Sequence, residues 1–184
     1  MILHDGAGPA FTEATVKAAV EACRERKVRH LVVASTTGTT ARVAHGAVKG
    51  TDVQLVVVTH NTGFGEEGEQ KFPADLRAKL EAEGTRVLTG TMVFRSLGRA
   101  IRDTTGGDQE MLVASALRVL GEGTKVCAEI AMMAADAGLV PPGDVVCVAG
   151  TGRGADTAAV VRAVPSNKFF ELKIRAHVAK PYIF

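Results

Sequence analysis

Apolar residues recur along this chain in two rhythms, and their alternation predicts an architecture. Val16, Ala19, Val20 and Cys23 fall at i, i+3, i+4 and i+7. They make the inner face of a helix over residues 12–27, with Thr12 as its cap. Glu13, Lys17, Glu21, Arg24 and Glu25 fill the other face. His30–Ala34 (HLVVA) is a short apolar run, read as a strand. It breaks into Ser35-Thr36-Thr37-Gly38-Thr39-Thr40, and a helical pattern then runs over residues 39–49. Residues 50–52 (Gly-Thr-Asp) make a turn. Residues 53–59 (VQLVVVT) form a second strand, whose almost continuous Val/Leu run predicts burial on both faces, as in a parallel sheet covered by helices.

A long loop follows over residues 60–72, with glycines at 63, 65 and 68. Pro73 opens a helix to residue 83, Gly84 closes it, and residues 85–88 form a third strand. Met92, Val93, Leu97 and Ile101 are spaced for a short helix, and residues 103–107 (DTTGG) read as a loop. Asp108 caps a helix over residues 108–120, with Leu112, Val113, Ala116 and Leu117 inward. Another helix spans residues 124–137 and ends at Gly138, with Val126, Cys127, Ile130, Ala131 and Ala134 on its core face. Residues 145–149 form a fourth strand. The Gly150-Thr151-Gly152-Arg153-Gly154-Ala155-Asp156-Thr157 loop follows, then a β-branched run over residues 158–164. That run predicts a fifth strand, paired antiparallel as a hairpin. The loose alternation of Phe170, Leu172 and Ile174 in the tail adds an edge strand. Strands alternating with helices predict a three-layer α/β/α sandwich. The 184 residues show no internal repeat or linker and fit one domain.

Composition narrows the partners. Hydrophobic residues make up 46% of the chain and charged ones 23%, which is ordinary for a globular protein. The formal net charge of +2 offers no basic tail or stripe for nucleic acid. With no tryptophan and one tyrosine, an aromatic platform for single strands is absent too. No apolar run approaches the roughly 20 residues of a membrane span. The N-terminus, MILHDGAGPAF, has neither the basic start nor the apolar core of a signal peptide. Cys23, Cys127 and Cys147 sit in apolar patterns without zinc-ligand spacing. They read as buried thiols of a cytoplasmic protein, and no metal site is expected.

The candidate chemistry lies in loops at the ends of strands. A helix N-terminus leaves its first amides unpaired and carries partial positive charge, so it suits an anion. Ser35, Thr36, Thr37, Thr39 and Thr40 add hydroxyl donors there, and Gly38 lets a ligand approach the backbone. One hydroxyl would suffice for a helix cap, the plainer reading of the same residues. No Gly-Lys-Ser/Thr follows, so the loop is not a Walker A motif. At the end of the second strand, Thr59, His60, Thr62, Gly63 and Phe64 would share the rim, Phe64 stacking on a flat ligand and His60 or Thr62 hydrogen-bonding it. Gly152, Arg153, Gly154 and Asp156 offer backbone donors, a guanidinium able to grip phosphate and a carboxylate. The alternatives are a solvated loop histidine at 60 and a tight hairpin with a solvated Arg153. Glu129 and Asp136, seven apart on one helix, would be either an acid–base pair or polar-face carboxylates. No Ser-His-Asp or Cys-His set stands out.

The motifs HLVVASTTGTTAR, VVVTHNTGFGEEGE, KVCAEIAMMAADAGLVP and GTGRGADTAAVVR, which cover most of residues 12–165, resemble the C-terminal domain of pyruvate kinase. The whole chain resembles a stand-alone family of such alpha/beta domains, mostly archaeal and bacterial. The resemblance implies a Rossmann-like mixed sheet of order 3-2-1-4-5, strands numbered as above, with strand 5 antiparallel. In pyruvate kinase a very similar Ser/Thr-Gly-Thr loop binds a phosphate of the activator fructose 1,6-bisphosphate. Pyruvate kinase activity is not implied, because the kinase's active site belongs to a TIM barrel of about 250 residues. The resemblance also implies flavin mononucleotide (FMN), which relatives in the stand-alone family can hold. The resemblance therefore implies a phosphorylated small molecule as ligand, FMN first, with its phosphate on residues 35–40 and its ring near residues 60–65. A regulatory module sensing a sugar phosphate such as fructose 1,6-bisphosphate is the alternative. The apolar tail, ending Tyr182-Ile183-Phe184, suggests a homo-oligomer interface.

Overall fold

The computed structural model describes residues 1–184. In chain order the elements are β1 (Ile2–His4), α1 (Thr12–Glu25), β2 (His30–Ala34), α2 (Thr39–Val48), β3 (Gln54–Val58), α3 (Ala74–Ala82) and β4 (Arg86–Leu88). Then follow α4 (Ser96–Thr105), α5 (Gln109–Arg118), α6 (Glu122–Asp136), β5 (Gly143–Ala149), β6 (Thr157–Ala163) and β7 (Lys173–Pro181). Short 3-10 turns precede α1 (Pro9–Phe11) and β7 (Ser166–Glu171).

The seven strands form one sheet of order β1-β7-β6-β5-β2-β3-β4. β5, β2, β3 and β4 pair parallel, while β6 runs antiparallel to β5 and to β7. The expected 3-2-1-4-5 is the run from the β4 edge to β6, extended beyond β6 by two strands. The tail strand is therefore not the edge: β7 lies between β6 and β1, and β1 pairs parallel with it at the margin. Three residues at the chain's start are too few to show a period, so β1 gave no signal in the sequence.

Alternation along each strand divides the core. Leu31, Val33, Leu55, Val57, Val146, Val148 and Val160 face α1, α2 and α3, packing on Val16, Ala19, Ala41, Ala44 and Leu76. Val32, Val56, Val145, Cys147 and Val161 face α6, packing on Cys127, Ile130, Ala131 and Ala134. A smaller cluster of Phe94, Ala114, Ala128 and Met132 seats α5 on the outside of α6. All three cysteines are buried, and burial pushes the Cys23 thiol up to about 12 and those of Cys127 and Cys147 higher than usual. No helix is long and apolar enough to cross a membrane.

Several local expectations are corrected. Thr12 is not the cap of α1: Phe11 takes that place, and the buried Thr12 hydroxyl accepts the Ala155 N–H at 3.0 Å. Met92 and Val93 precede α4, and residues 103–105, expected in a loop, form its last turn. There Thr104 and Thr105 donate their hydroxyls back to Ala100 and Ile101 carbonyls at 2.9 Å, which lets them continue a helix. Asp108 does cap α5, accepting the Met111 N–H at 2.9 Å. Leu112 and Ala116, however, face solvent, because α5 buries only its Ala114 side on α6.

Candidate functional site

The carboxyl ends of β2, β3 and β5 open onto a cavity of about 770 Å³. It reaches across the sheet from the start of α2 to the start of α6, the crevice where open α/β sheets place ligands. One wall is the hydroxyl loop. Ser35 N–H donates to the Val58 carbonyl at 3.0 Å, which ties the loop to β3. The amides of residues 36–40 donate to no acceptor within the chain, and the first helical bond is Arg42 N–H to the Gly38 carbonyl at 3.0 Å. Gly38 has φ +87° and caps α2, and Leu76 packs against the place where a side chain would stand. Ser35, Thr36, Thr37, Thr39 and Thr40 all line the cavity, whereas Gly38 shapes it from behind.

The hydroxyls divide their work. Buried Ser35 accepts the Ala41 N–H at 3.2 Å, so the helix-cap reading holds for this one residue. Thr37 and Thr39 lie 3.4 Å apart, oxygen to oxygen, at the exposed mouth. Thr36 Oγ1 lies 3.4 Å from His60 Nε2.

From the second wall Val58, Thr59, His60 and Phe64 reach the cavity, while Thr62 and Gly63 stay outside it. Gly63 (φ +77°) makes a turn instead, its N–H donating to the Glu69 carbonyl at 2.9 Å. The Thr59 hydroxyl lies 2.8 Å from the His60 carbonyl and 2.7 Å from Thr89 Oγ1. Phe64 is already engaged. Its ring centroid is 3.9 Å from that of His60, and the Arg95 guanidinium lies over it at 4.4 Å. Both contacts take up ring surface that a flat ligand would otherwise meet. Burial, then the Arg95 charge, holds His60 below its ordinary pKa, and its Nδ1 is buried without a partner.

The third wall is the loop after β5, where Gly150, Gly152, Arg153 and Gly154 line the cavity. Asp156 does not. It is fully buried and accepts the Gly8 N–H at 2.9 Å, the Thr151 N–H at 2.9 Å and the Thr157 hydroxyl at 2.8 Å. Its carboxylate is a clip that closes the loop under the chain's N-terminal segment. Gly154 could not carry a side chain there, since a Cβ would meet Pro9 at 2.3 Å.

The fourth wall was not anticipated. Glu122, Lys125, Val126, Glu129, Ile130 and Met133 present one stripe of α6 to the cavity at three- and four-residue spacing. Lys125 Nζ lies 2.6 Å from Glu129 Oε2, and Glu129 Oε1 accepts the Phe94 N–H at 2.9 Å. Arg118 pairs with Glu122, and Met92, Phe94, Arg95 and Met111 close the wall. Glu129 and Asp136 are not a pair: Asp136 accepts the Ser166 N–H at 2.8 Å at the surface. The Lys125/Glu129 spacing inside an apolar stripe was the available signal. Arg95, Arg118 and Lys71 carry no local signal, because only the fold brings them to the rim.

The model of the family described as pyruvate kinase, alpha/beta domain, matches residues 13–161. The chain belongs to the pyruvate kinase alpha/beta domain family. The matched stretch contains α1 through most of β6, hence all four walls of the cavity. Among solved structures, a pyruvate kinase from Cryptosporidium parvum is 15% identical with a TM-score of 0.46, covering 83% of this chain and 23% of its own. The same organism's pyruvate kinase in complex with ADP is 16% identical with a TM-score of 0.45, covering 83% of this chain and 24% of its own. The chain thus spans about a quarter of the length of these kinases.

Proposed function

We propose that the cavity binds a phosphorylated small molecule, FMN first among the candidates, and that the chain has no pyruvate kinase activity. The observation that carries this reading is the hydroxyl loop. Five consecutive amides without acceptors, at the start of a ten-residue helix and flanked by Thr36, Thr37 and Thr39, offer donors and a positive dipole end to one phosphate. Arg153 stands on the neighbouring wall to grip the same group. Beyond it Met92, Phe94, Met111, Ile130 and Met133 supply an apolar chamber suited to a flat ring. Phe64 already carries His60 and Arg95, so the reading sets the ring on this methionine-rich wall rather than on Phe64.

The test is direct. Purified protein carrying FMN is yellow, and protein without it quenches added flavin fluorescence in a saturable way. No heat of binding at millimolar FMN overturns the flavin reading. A stability gain with a sugar phosphate such as fructose 1,6-bisphosphate, and none with FMN, moves the site to a regulatory role. We also place the chain in a reducing cytoplasm, where three buried thiols persist. It is expected to assemble as a homo-oligomer through exposed apolar residues such as Tyr182 and Ile183. Light scattering that gives a monomer mass contradicts the latter.

A further inference from the structure

Five cations line the cavity: Lys71, Arg95, Arg118, Lys125 and Arg153. Three of them have carboxylates of their own. Lys71 lies 3.7 Å from Glu69, Arg118 pairs with Glu122, and Lys125 pairs with Glu129. Arg153 stands on the glycine loop and serves the phosphate in the reading above. Arg95 is left over. Its guanidinium has no carboxylate partner and no hydrogen bond within the chain; its one defined contact is the face of Phe64, at 4.4 Å. Its own partial burial, then the neighbouring Arg99, Arg102 and Arg118 charges, disfavour its charged form, and the Glu129 carboxylate offsets part of this. An anion arriving here would relieve both.

The geometry fits one kind of anion. A guanidinium keeps its N–H donors in its own plane as a rigid fork. That fork matches a flat, two-atom acceptor edge of a carboxylate or of a phosphate, and one guanidinium balances one charge. A second phosphate would need further free donors, and Arg118 and Lys125 beside it are already paired. The position is also held. Phe64 rests on His60, His60 Nε2 lies 3.4 Å from Thr36 of the phosphate loop, and Glu129 fixes the Phe94 N–H next to Arg95.

We propose that Arg95 receives a second, flat, singly charged acidic edge on the phosphorylated ligand. Two sources share this chemistry: a carboxylate, or the N1–C2=O edge of a reduced, anionic flavin ring. The inference rests on the phosphate-binding reading.

Calorimetric titration of the full chain with matched pairs tests it. One arm compares glycerol 3-phosphate with 3-phosphoglycerate, which adds a carboxylate. A second compares oxidised with chemically reduced FMN under argon. A third compares fructose 6-phosphate with fructose 1,6-bisphosphate. The added acid is expected to tighten binding about tenfold in one of the first two arms, and that arm names the source. Arg95→Gln should reduce this gain, taken as the ratio within each pair, to about twofold or less, while Arg99→Gln, on α4 just after it, keeps it. No gain in wild type overturns the proposal without any variant having to fold. So does a gain that survives Arg95→Gln, or one confined to the bisphosphate. If the phosphate-only members bind and no pair differs, only the Arg95 proposal fails. If no member of any pair binds, the phosphate reading fails with it.

Discussion

Lys125 and Glu129 face each other one turn apart on α6, with Nζ 2.6 Å from Oε2 and side chains only 5% and 2% exposed. A buried ion pair of this kind adds little net stability over an apolar pair, but breaking it strands a charge. Glu129→Leu also orphans the Phe94 N–H. It should lower unfolding free energy by about 3–5 kcal/mol, whereas the double variant Lys125→Met/Glu129→Leu should recover the part due to the stranded Lys125 charge but not the part due to the orphaned Phe94 N–H. Chemical denaturation of the three proteins checks it. A double variant no better than the single would contradict a pairwise role.

Asp156 is a structural clip, and its removal should show as lost stability. Asp156→Ala loses three acceptor contacts and should cost about 2–4 kcal/mol in chemical denaturation. A variant that keeps its melting temperature yet loses ligand affinity would contradict this assignment and return Asp156 to the binding wall.

Gly38 shapes the phosphate loop. A Cβ there would lie 2.3 Å from Leu76 Cδ2, at a φ of +87° that side chains rarely adopt. Gly38→Ala should cost about 1–3 kcal/mol and loosen the loop. Unchanged stability would mean that Leu76 yields without cost.

Acid should weaken the fold in two stages. His30, His60 and His177 are all held below their ordinary 6.5, chiefly by burial. The unfolded chain then binds more protons, so this stability is complete above 6.5 and is lost as pH falls below it. Glu83, hydrogen-bonded by Lys49 and His45, is held down to about 2 from 4.5, and its contribution disappears as pH falls through that range. Melting temperature against pH should therefore decline first from about 6.5, and His177→Gln should flatten that first stage. A flat profile between about pH 7 and 5 would contradict the histidine assignments.

What could be read in advance followed from local rules. β2 was legible to the residue, since His30–Ala34 is apolar and ends in a loop of small hydroxyl residues. The β5–β6 hairpin was legible from a β-branched run after a glycine loop. The parallel centre of the sheet showed in the unbroken Val/Leu run of β3. The amphipathic pattern of α4 misled, because Leu97 and Ile101 are spaced for burial yet exposed. The site was legible only where one loop made it. Residues 35–40 declared themselves, but Arg95, Arg118 and Lys125 reach the same cavity from the turn before α4, from α5 and from α6. Asp156 and Phe64 hold partners that local patterns do not show, because Gly8 and Arg95 are distant in sequence.

The central claim is that the hydroxyl loop holds a phosphate. The most direct measurement is calorimetric titration with FMN of the wild type and of Thr37→Val/Thr39→Val, two positions at the open mouth whose change leaves the core intact. Two donors lost to a charged group should weaken binding by about 1–3 kcal/mol, roughly five- to 150-fold, with melting temperature unchanged. Saturable binding of equal strength in the two proteins would contradict the account.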